Sequence, residues 1–98
     1  MKMTVASTIL EQLGGNKFLA MTGATNLLDH GHALSFKIGR NAAKVTHVKI
    51  TLAATDFYDC DFLNVRGTRM RRVVLHEGVC CDVLQRMFAE VTGLDTHL

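Results

Sequence analysis

Apolar and polar residues alternate along the middle of the chain, and this alternation predicts half-buried β-strands. The clearest example is 45–52, where Val48, Ile50 and Leu52 share one face of the strand and polar residues take the other face. Similar alternation marks further strands, and a short apolar run favours one more strand near the N-terminus. The predicted strands are 17–23, 34–38, 45–52, 56–66 and 69–75.

The two ends of the chain instead show the spacing of amphipathic helices. Residues 4–13 predict a short helix that ends at Gly14 and Gly15, and 79–92 predict a helix that ends at Gly93. Several polar residues near the start of the first helix could cap it. The candidate caps are Thr4, Ser7 and Thr8.

The predicted order is therefore a helix, four or five strands, and a second helix. Consecutive strands joined by short turns form an antiparallel meander, and the apolar face of such a sheet must be covered. Only the two terminal helices can cover it. We therefore expect residues 1–98 to form a single α+β domain, with an antiparallel meander sheet of 4–5 strands and a short N-terminal and a longer C-terminal helix packed on one face.

The composition is typical of a globular protein, with 48% hydrophobic and 20% charged residues. The formal net charge is +2 and the isoelectric point is about 8.6. That value lies below the value of about 9 that marks a strongly basic nucleic-acid-binding domain. The sequence has no apolar stretch of membrane-spanning length and no signal-peptide pattern. We therefore expect a cytoplasmic protein whose three cysteines stay reduced.

Four arginines crowd the segment RGTRMRR, residues 66–72. A two-residue hairpin turn at Gly67 and Thr68 would fix how the flanking strands pair. By parity, three of the arginines then lie on the core side of the sheet, beyond the edge of the core, and the fourth lies on the opposite side. The three are Arg66, Arg69 and Arg71, and the fourth is Arg72.

Two interpretations of these arginines remain open. In one, their guanidinium groups contact the phosphates of a nucleic acid or the charges of another polyanion. In the other, they are solvated or paired with Asp59 and Asp61 of the preceding strand. The alternation of 56–66 slips at Leu63 and Val65, which a bulge or a change of face near there would explain. A one-residue bulge would rearrange the faces of the hairpin. The cross-strand pairs expected without a bulge are Phe62 with Val73 and Cys60 with Leu75.

The other chemically active residues form no recognisable motif. His30 and His32 could share a metal ion, but no third ligand lies at a recognisable spacing. Cys81 lies near the start of the predicted helix, which could lower its pKa, and His76 is close in sequence. No residue can be named for an oxyanion site beside them, and the glycines match no phosphate loop. We therefore expect no metal, no cofactor and no catalytic residues.

Four segments of the chain together resemble a family of small uncharacterised proteins carried by bacteriophages, prophages and related mobile elements. The segments are TILEQLGGNKFLAMTGA (8–24), LSFKIGRNAAKVTHVKITL (34–52), FYDCDF (57–62) and VTGLDTHL (91–98). The resemblance spans nearly the whole chain and brings no catalytic motif with it. It implies a bacterial or phage-infected cell and, by association alone, an accessory role related to nucleic acid.

These observations predict a non-enzymatic accessory protein that binds DNA or RNA weakly, mainly through phosphates. Few base contacts are expected, because no aromatic residue interleaves the arginines. The alternative is a module that binds a second copy of itself, or another phage or host protein, without contacting nucleic acid or membrane. The predicted contact residues are Arg66, Arg69, Arg71 and Arg72, helped by Arg40 and Lys44 of the 39–44 loop.

Overall fold

The computed structural model describes residues 4–94, which form a five-stranded antiparallel sheet and three α-helices. The elements are α1 (Val5–Leu13), α2 (Asn16–Thr22), β1 (Thr25–Asp29), β2 (Ala33–Lys37), β3 (His47–Leu52), β4 (Tyr58–Arg66), β5 (Arg69–Val79), a 3-10 turn (Cys81–Val83) and α3 (Leu84–Thr92). The strands lie side by side in chain order. The predicted α+β meander with terminal helices is therefore confirmed, with α2 as an added element.

The first helix begins at polar residues and ends at a glycine, and these residues form hydrogen bonds with the terminal amides and carbonyls that have no partner inside the helix. Of the three candidate caps, Thr4 takes the role: its Oγ1 accepts a hydrogen bond from the Ser7 amide at 3.1 Å. The Ser7 hydroxyl oxygen accepts one in return from the Thr4 amide at 2.9 Å. The helix ends at Leu13, because Gly14 takes a φ of 126°.

The strand predicted over 17–23 is wrong, because these residues belong to helix α2. Phe18 and Thr22 are its buried residues, and they lie four positions apart, as one face of a helix requires. Gly15 and Gly23 bracket the helix with φ values of 62° and 66°. A short apolar run does not distinguish a strand from a buried helix.

The last helix is shorter than predicted. Its first predicted residue, Val79, instead ends strand β5 and pairs with Tyr58. Residues 81–83 form a 3-10 turn, and α3 begins only at Leu84. Its end agrees with the prediction, since Gly93 takes a left-handed φ of 75° and stops the helix.

The core lies between the helices and one face of the sheet, and four phenylalanines occupy its centre. Each of the four is buried and belongs to a different element: α2, β2, β4 or α3. The rings of Phe18 and Phe88 are 5.0 Å apart, those of Phe18 and Phe36 are 5.4 Å apart, and those of Phe62 and Phe88 are 6.2 Å apart. Contacts of this kind between two helices and two strands hold the layers together.

Gln12 of α1 ties the two terminal helices to the sheet by hydrogen bonds. The Tyr58 hydroxyl donates to Gln12 Oε1 at 2.7 Å. The Gln85 side chain donates to the Gln12 carbonyl at 3.1 Å. These two bonds join α1, β4 and α3 across most of the length of the chain.

Strand β5 contains an extra residue, Val73, that shifts the pairing of the hairpin. Near the turn the strands pair in the predicted register, but Phe62 lies opposite Val74 rather than Val73. The predicted pairing of Phe62 is therefore wrong. The predicted pairing of Cys60 is wrong for the same reason, because Cys60 lies opposite His76.

A second irregularity in β5 lies near its C-terminal end. Gly78 has a φ of 67°, which favours glycine over other residues. Its amide leaves the regular ladder and donates to Asp59 Oδ1 at 3.2 Å. The register shifts again at this point, between the pairs that Tyr58 and Cys60 form with β5.

Candidate functional site

The tip of the β4–β5 hairpin has the predicted two-residue turn, in which Gly67 takes a φ of 58°. On either side of the turn Arg66 lies opposite Arg69, and Asn64 lies opposite Arg71. Residues directly opposite each other in an antiparallel pair share a face. These four residues therefore form one patch, which continues the helix-covered face of the sheet beyond the last buried phenylalanine.

Arg72 lies on the other face, opposite Leu63. Its Nε donates to Asp61 Oδ1 at 2.9 Å and its Nη2 donates to Asp61 Oδ2 at 3.0 Å. The hydrogen bond first, and then the charge of Asp61, raise the pKa of Arg72. Both nitrogen–oxygen contacts orient the guanidinium group, so Arg72 is held away from the other three arginines.

The three arginines of the patch have no comparable partner. Within residues 4–94, Arg72 forms the only ion pair. The side chains of Arg66, Arg69 and Arg71 are exposed. Both interpretations stay open for these three, because a solvated guanidinium group and one that contacts a ligand are equally exposed; the pairing with Asp61 that the second interpretation includes occurs at Arg72.

The loop between β2 and β3 carries Arg40 and Lys44, and Asn41 holds its shape. Asn41 Nδ2 donates to the carbonyl oxygens of Gly39 at 2.9 Å and Val45 at 2.6 Å. Asn41 Oδ1 accepts from the Val45 amide at 3.0 Å. Three hydrogen bonds from one side chain fix both ends of the loop.

Asn64 connects this loop to the hairpin. Its Nδ2 donates to the Lys44 carbonyl at 2.6 Å, and the residue is buried, with 8% exposure. Lys44 takes a left-handed φ of 59°, which non-glycine residues adopt only where their surroundings enforce it. Thr46 adds two contacts, because its amide donates to Leu63 at 2.9 Å and its hydroxyl accepts from the Val65 amide at 2.8 Å. The loop is therefore fixed beside the patch.

Two adjoining clefts open between the loop and the hairpin, with volumes of about 540 Å³ and 430 Å³. Both are lined by Lys44, Asn64 and Arg66; the larger is also lined by Arg69, Met70 and Arg71, and the smaller by Ile38, Gly39, Arg40, Asn41, Val45 and Thr46. We call the two together the basic cleft. Among the described residues, its walls carry five cationic side chains and no acidic one.

Five of the six predicted contact residues therefore line the basic cleft, and only Arg72 lies elsewhere. Sequence reasoning missed Asn64 and Met70, which also line it. A signal for Asn64 was present, because this polar residue occupies a position of β4 where the alternation requires a buried side chain. Met70 carries no such signal, because the alternation of β5 places it opposite Val65, on the face of Leu63 and Arg72.

Of the two histidines that could share a metal ion, His30 has a hydrogen-bond partner on β2. The Nε2 atom of His30 lies 2.7 Å from the hydroxyl oxygen of Ser35. Within residues 4–94, no group of three or more histidine, cysteine, aspartate or glutamate side chains is placed to hold a metal ion.

Cys81 does not have the lowered pKa that a helix start could give it. Partial desolvation first, and then the charge of Asp82, raise the pKa of the Cys81 thiol. Its Sγ donates to Asp82 Oδ1 at 3.8 Å. His76 packs edge-on against Phe62, with 6.4 Å between the ring centres. The lowering that a helix start could give is not found: residues 81–83 form a 3-10 turn, and the carboxylate of Asp82 lies beside the thiol.

No protein-family model matches the chain, and no curated protein or solved structure matches it either. In the described part of the chain, 4–94, no helix is long and apolar enough to span a membrane.

Proposed function

We propose that the protein binds nucleic acid weakly, through phosphate contacts in the basic cleft, in a non-enzymatic accessory role. The observation that supports this is the convergence of cations from two separate elements on one concave surface. The hairpin contributes Arg66, Arg69 and Arg71, and the β2–β3 loop contributes Arg40 and Lys44.

The chemistry of these side chains suits phosphate. A guanidinium group donates two parallel hydrogen bonds to phosphate oxygens, and a lysine ammonium adds a point charge. Within residues 4–94 no carboxylate of the cleft walls competes for these donors. The cations that line the cleft carry the same sign of charge, so a polyanion reduces their mutual repulsion when it binds.

The cleft is also ordered before any ligand arrives. The Asn41 hydrogen bonds hold the loop, and the Asn64 bond to Lys44 joins it to the hairpin. A surface whose backbone is already fixed loses less conformational entropy on binding. The arginine side chains themselves must still be ordered, which is one reason to expect modest affinity.

The cleft walls carry no aromatic side chain in the described part of the chain. Sequence-tolerant binding to phosphates, without aromatic stacking, typically has dissociation constants of roughly 10⁻⁴ to 10⁻⁶ M at physiological salt. We expect affinities in that range and little preference for base sequence.

Fluorescence anisotropy with labelled DNA and RNA oligonucleotides at several salt concentrations tests the proposal. The Arg69→Ala/Arg71→Ala variant should bind more weakly. Its salt dependence should also be shallower: the slope of the logarithm of the binding constant against the logarithm of the salt concentration should decrease in magnitude by roughly one to two units. Arg72→Ala is the matched control, because Arg72 lies in the same segment but outside the cleft. It should leave the slope nearly unchanged.

Three results would contradict the proposal. The first is no binding to any oligonucleotide at low salt. The second is an affinity that the Arg69→Ala/Arg71→Ala variant leaves unchanged. The third is an equal loss from Arg72→Ala, which would mean that the total charge of the chain and not the cleft attracts the ligand.

A further inference from the structure

Asn64 is a polar residue that is almost fully buried, at 8% exposure, and that lines both parts of the basic cleft. Tyr58, Cys60 and Phe62 precede it on the same face of β4, so the alternation of the strand would place an apolar side chain here. Its Nδ2 donates to the Lys44 carbonyl at 2.6 Å and so holds the loop. That bond uses only the nitrogen of the side-chain amide, and the fold does not account for the oxygen, Oδ1.

The Oδ1 atom of Asn64 accepts no hydrogen bond from residues 4–94, the part of the chain that the structure describes. Every fully buried side-chain nitrogen or oxygen in that part has a hydrogen-bond partner. Oδ1 is therefore not sealed in the core, and it reaches the cleft that Asn64 lines. Because the residue is so little exposed, a ligand that fills the cleft also takes water away from this oxygen.

Two other side chains of the described cleft walls carry oxygen atoms, and both oxygens already have donors. Asn41 Oδ1 accepts from the Val45 amide at 3.0 Å, and Thr46 Oγ1 accepts from the Val65 amide at 2.8 Å. The lysine and arginine side chains of the walls can only donate. Within residues 4–94, Asn64 Oδ1 is therefore the side-chain acceptor of the cleft that is left for a ligand.

An acceptor among cations suits a ligand that carries a hydrogen-bond donor beside its phosphates. The backbone of DNA has no such donor, because ionised phosphates and the oxygen of the sugar ring only accept. Each ribose of RNA has one, the 2′-hydroxyl, whatever base is attached. Base N–H groups also donate, but their positions vary from one base to the next.

We infer that the basic cleft binds RNA in preference to DNA, because Asn64 Oδ1 accepts a hydrogen bond from a ribose 2′-hydroxyl beside a bound phosphate. This inference rests on the proposed function and narrows its ligand from nucleic acid in general to RNA. Arg71 lies opposite Asn64, and Arg66 is the next residue on the same face; these two arginines hold the phosphate. DNA in the same position covers Oδ1 without offering it a donor, and an acceptor left without a partner weakens binding.

Fluorescence anisotropy with three labelled single-stranded probes of equal length tests the inference at low salt. The probes are oligouridine RNA, the corresponding deoxyuridine DNA, and oligouridine in which fluorine replaces each 2′-hydroxyl. All three carry the same base and the same number of phosphates, and the fluorinated probe keeps an RNA-like sugar but has no 2′ donor. The wild type should bind the RNA roughly 2- to 10-fold more tightly than either other probe, from the net energy of one hydrogen bond.

Two variants separate the acceptor from the position of the loop. Asn64→Leu removes the acceptor, so the ratio of its RNA affinity to its DNA affinity should fall to near unity. Asn41→Ala is the matched control, because it breaks hydrogen bonds that hold the same loop but keeps Asn64. It should weaken binding to all three probes and leave the ratio that of the wild type. Thermal unfolding checks that both variants are folded.

The outcomes distinguish this inference from the proposed function. If no probe binds at low salt, the proposed function fails and the inference fails with it. If the probes bind but the wild type does not prefer RNA to DNA, only the inference is overturned. A fluorinated probe that binds like RNA also overturns it, because the shape of the sugar then explains the preference.

The variants give two further results that would overturn the inference alone. One is a preference for RNA that Asn64→Leu retains, and the other is a preference that Asn41→Ala loses. If Asn64→Leu does not fold, the comparison of the three probes on the wild type still decides.

Discussion

The face of strand β4 that points toward the helices has a covered end, on which the helices pack, and an uncovered end near the hairpin turn. At one end Tyr58, Cys60 and Phe62 are buried beneath the helices. At the other end the same face continues with Asn64 and then Arg66, and the side chains change from apolar to polar where the phenylalanine cluster ends. The alternation of a strand thus reveals which residues share a face, but not where the covering layer stops.

The largest difference between the two ends should appear in stability when Phe62 is truncated. Phe62 is fully buried and packs against Phe88. Phe62→Ala should therefore lower the free energy of unfolding by about 3–5 kcal/mol, measured by urea denaturation. A loss below about 1 kcal/mol would mean that this end of the hairpin is not held by the helices.

Asn64 lies at the boundary between the two ends, so its replacement should affect both stability and binding. Asn64→Leu removes the donor to the Lys44 carbonyl and should lower the free energy of unfolding by about 1–3 kcal/mol. Oligonucleotide binding should weaken as well, because Lys44 loses its fixed position. Asn16→Ala, at an exposed asparagine of α2, serves as the control. If Asn64→Leu binds oligonucleotides like the wild type, the position of the β2–β3 loop does not contribute to binding.

At the covered end, the buried thiol of Cys60 should make the free energy of unfolding depend on pH in the alkaline range. Burial first, and then the charge of Asp59, raise the pKa of the Cys60 thiol from 9.0 to about 12. Between these values the unfolded chain releases the thiol proton while the folded chain keeps it. Stability is therefore retained below pH 9 and falls as the pH rises toward 12.

Urea denaturation at pH 8 and pH 10 measures this effect. Between pH 8 and pH 10, the free energy of unfolding of the wild type should fall by up to about 1.4 kcal/mol more than that of Cys60→Ala. The interval ends at pH 10 because burial also raises the pKa of Tyr58, whose ordinary value is 10.0. Equal losses in the two proteins would show that Cys60 is not protected from solvent.

The smallest change in stability is expected at the uncovered end. Arg66→Ala should alter the free energy of unfolding by less than about 0.5 kcal/mol, because Arg66 is exposed and unpaired within residues 4–94. Its effect should appear in binding instead, where the slope of the logarithm of the binding constant against the logarithm of the salt concentration should decrease in magnitude by about 0.9. A destabilisation above about 1 kcal/mol would assign Arg66 a structural role.

The sequence predicts the tip of the hairpin better than its base, and the reason is physical. A two-residue turn fixes the pairing on either side of it, so the faces of Arg66, Arg69 and Arg71 follow from parity alone. Beyond Leu63 the prediction fails at Val73. The slip of the alternation at Leu63 and Val65 indicates a bulge or a change of face near this point, and the register does shift between Phe62 and Leu63. The sequence does not indicate that the extra residue is Val73, because Val73 and the residue after it are both valines.

The candidate site is partly predictable for a related reason. The arginines are visible as a cluster in the sequence, but the contact between Asn64 and Lys44 joins residues 20 positions apart. That contact depends on how β3 pairs with β4 and on the left-handed turn at Lys44. Local patterns do not encode such a pairing, so the cleft itself could not be predicted.

The irregularities of β5 affect what this edge of the sheet can pair with. β5 is an edge strand of 11 residues, and a long edge with free backbone groups is a template on which another chain can add a strand. Val73 and Gly78 interrupt that edge at two points, and the arginines near the turn repel a second copy aligned in register. We therefore expect this edge to resist aggregation at high protein concentration.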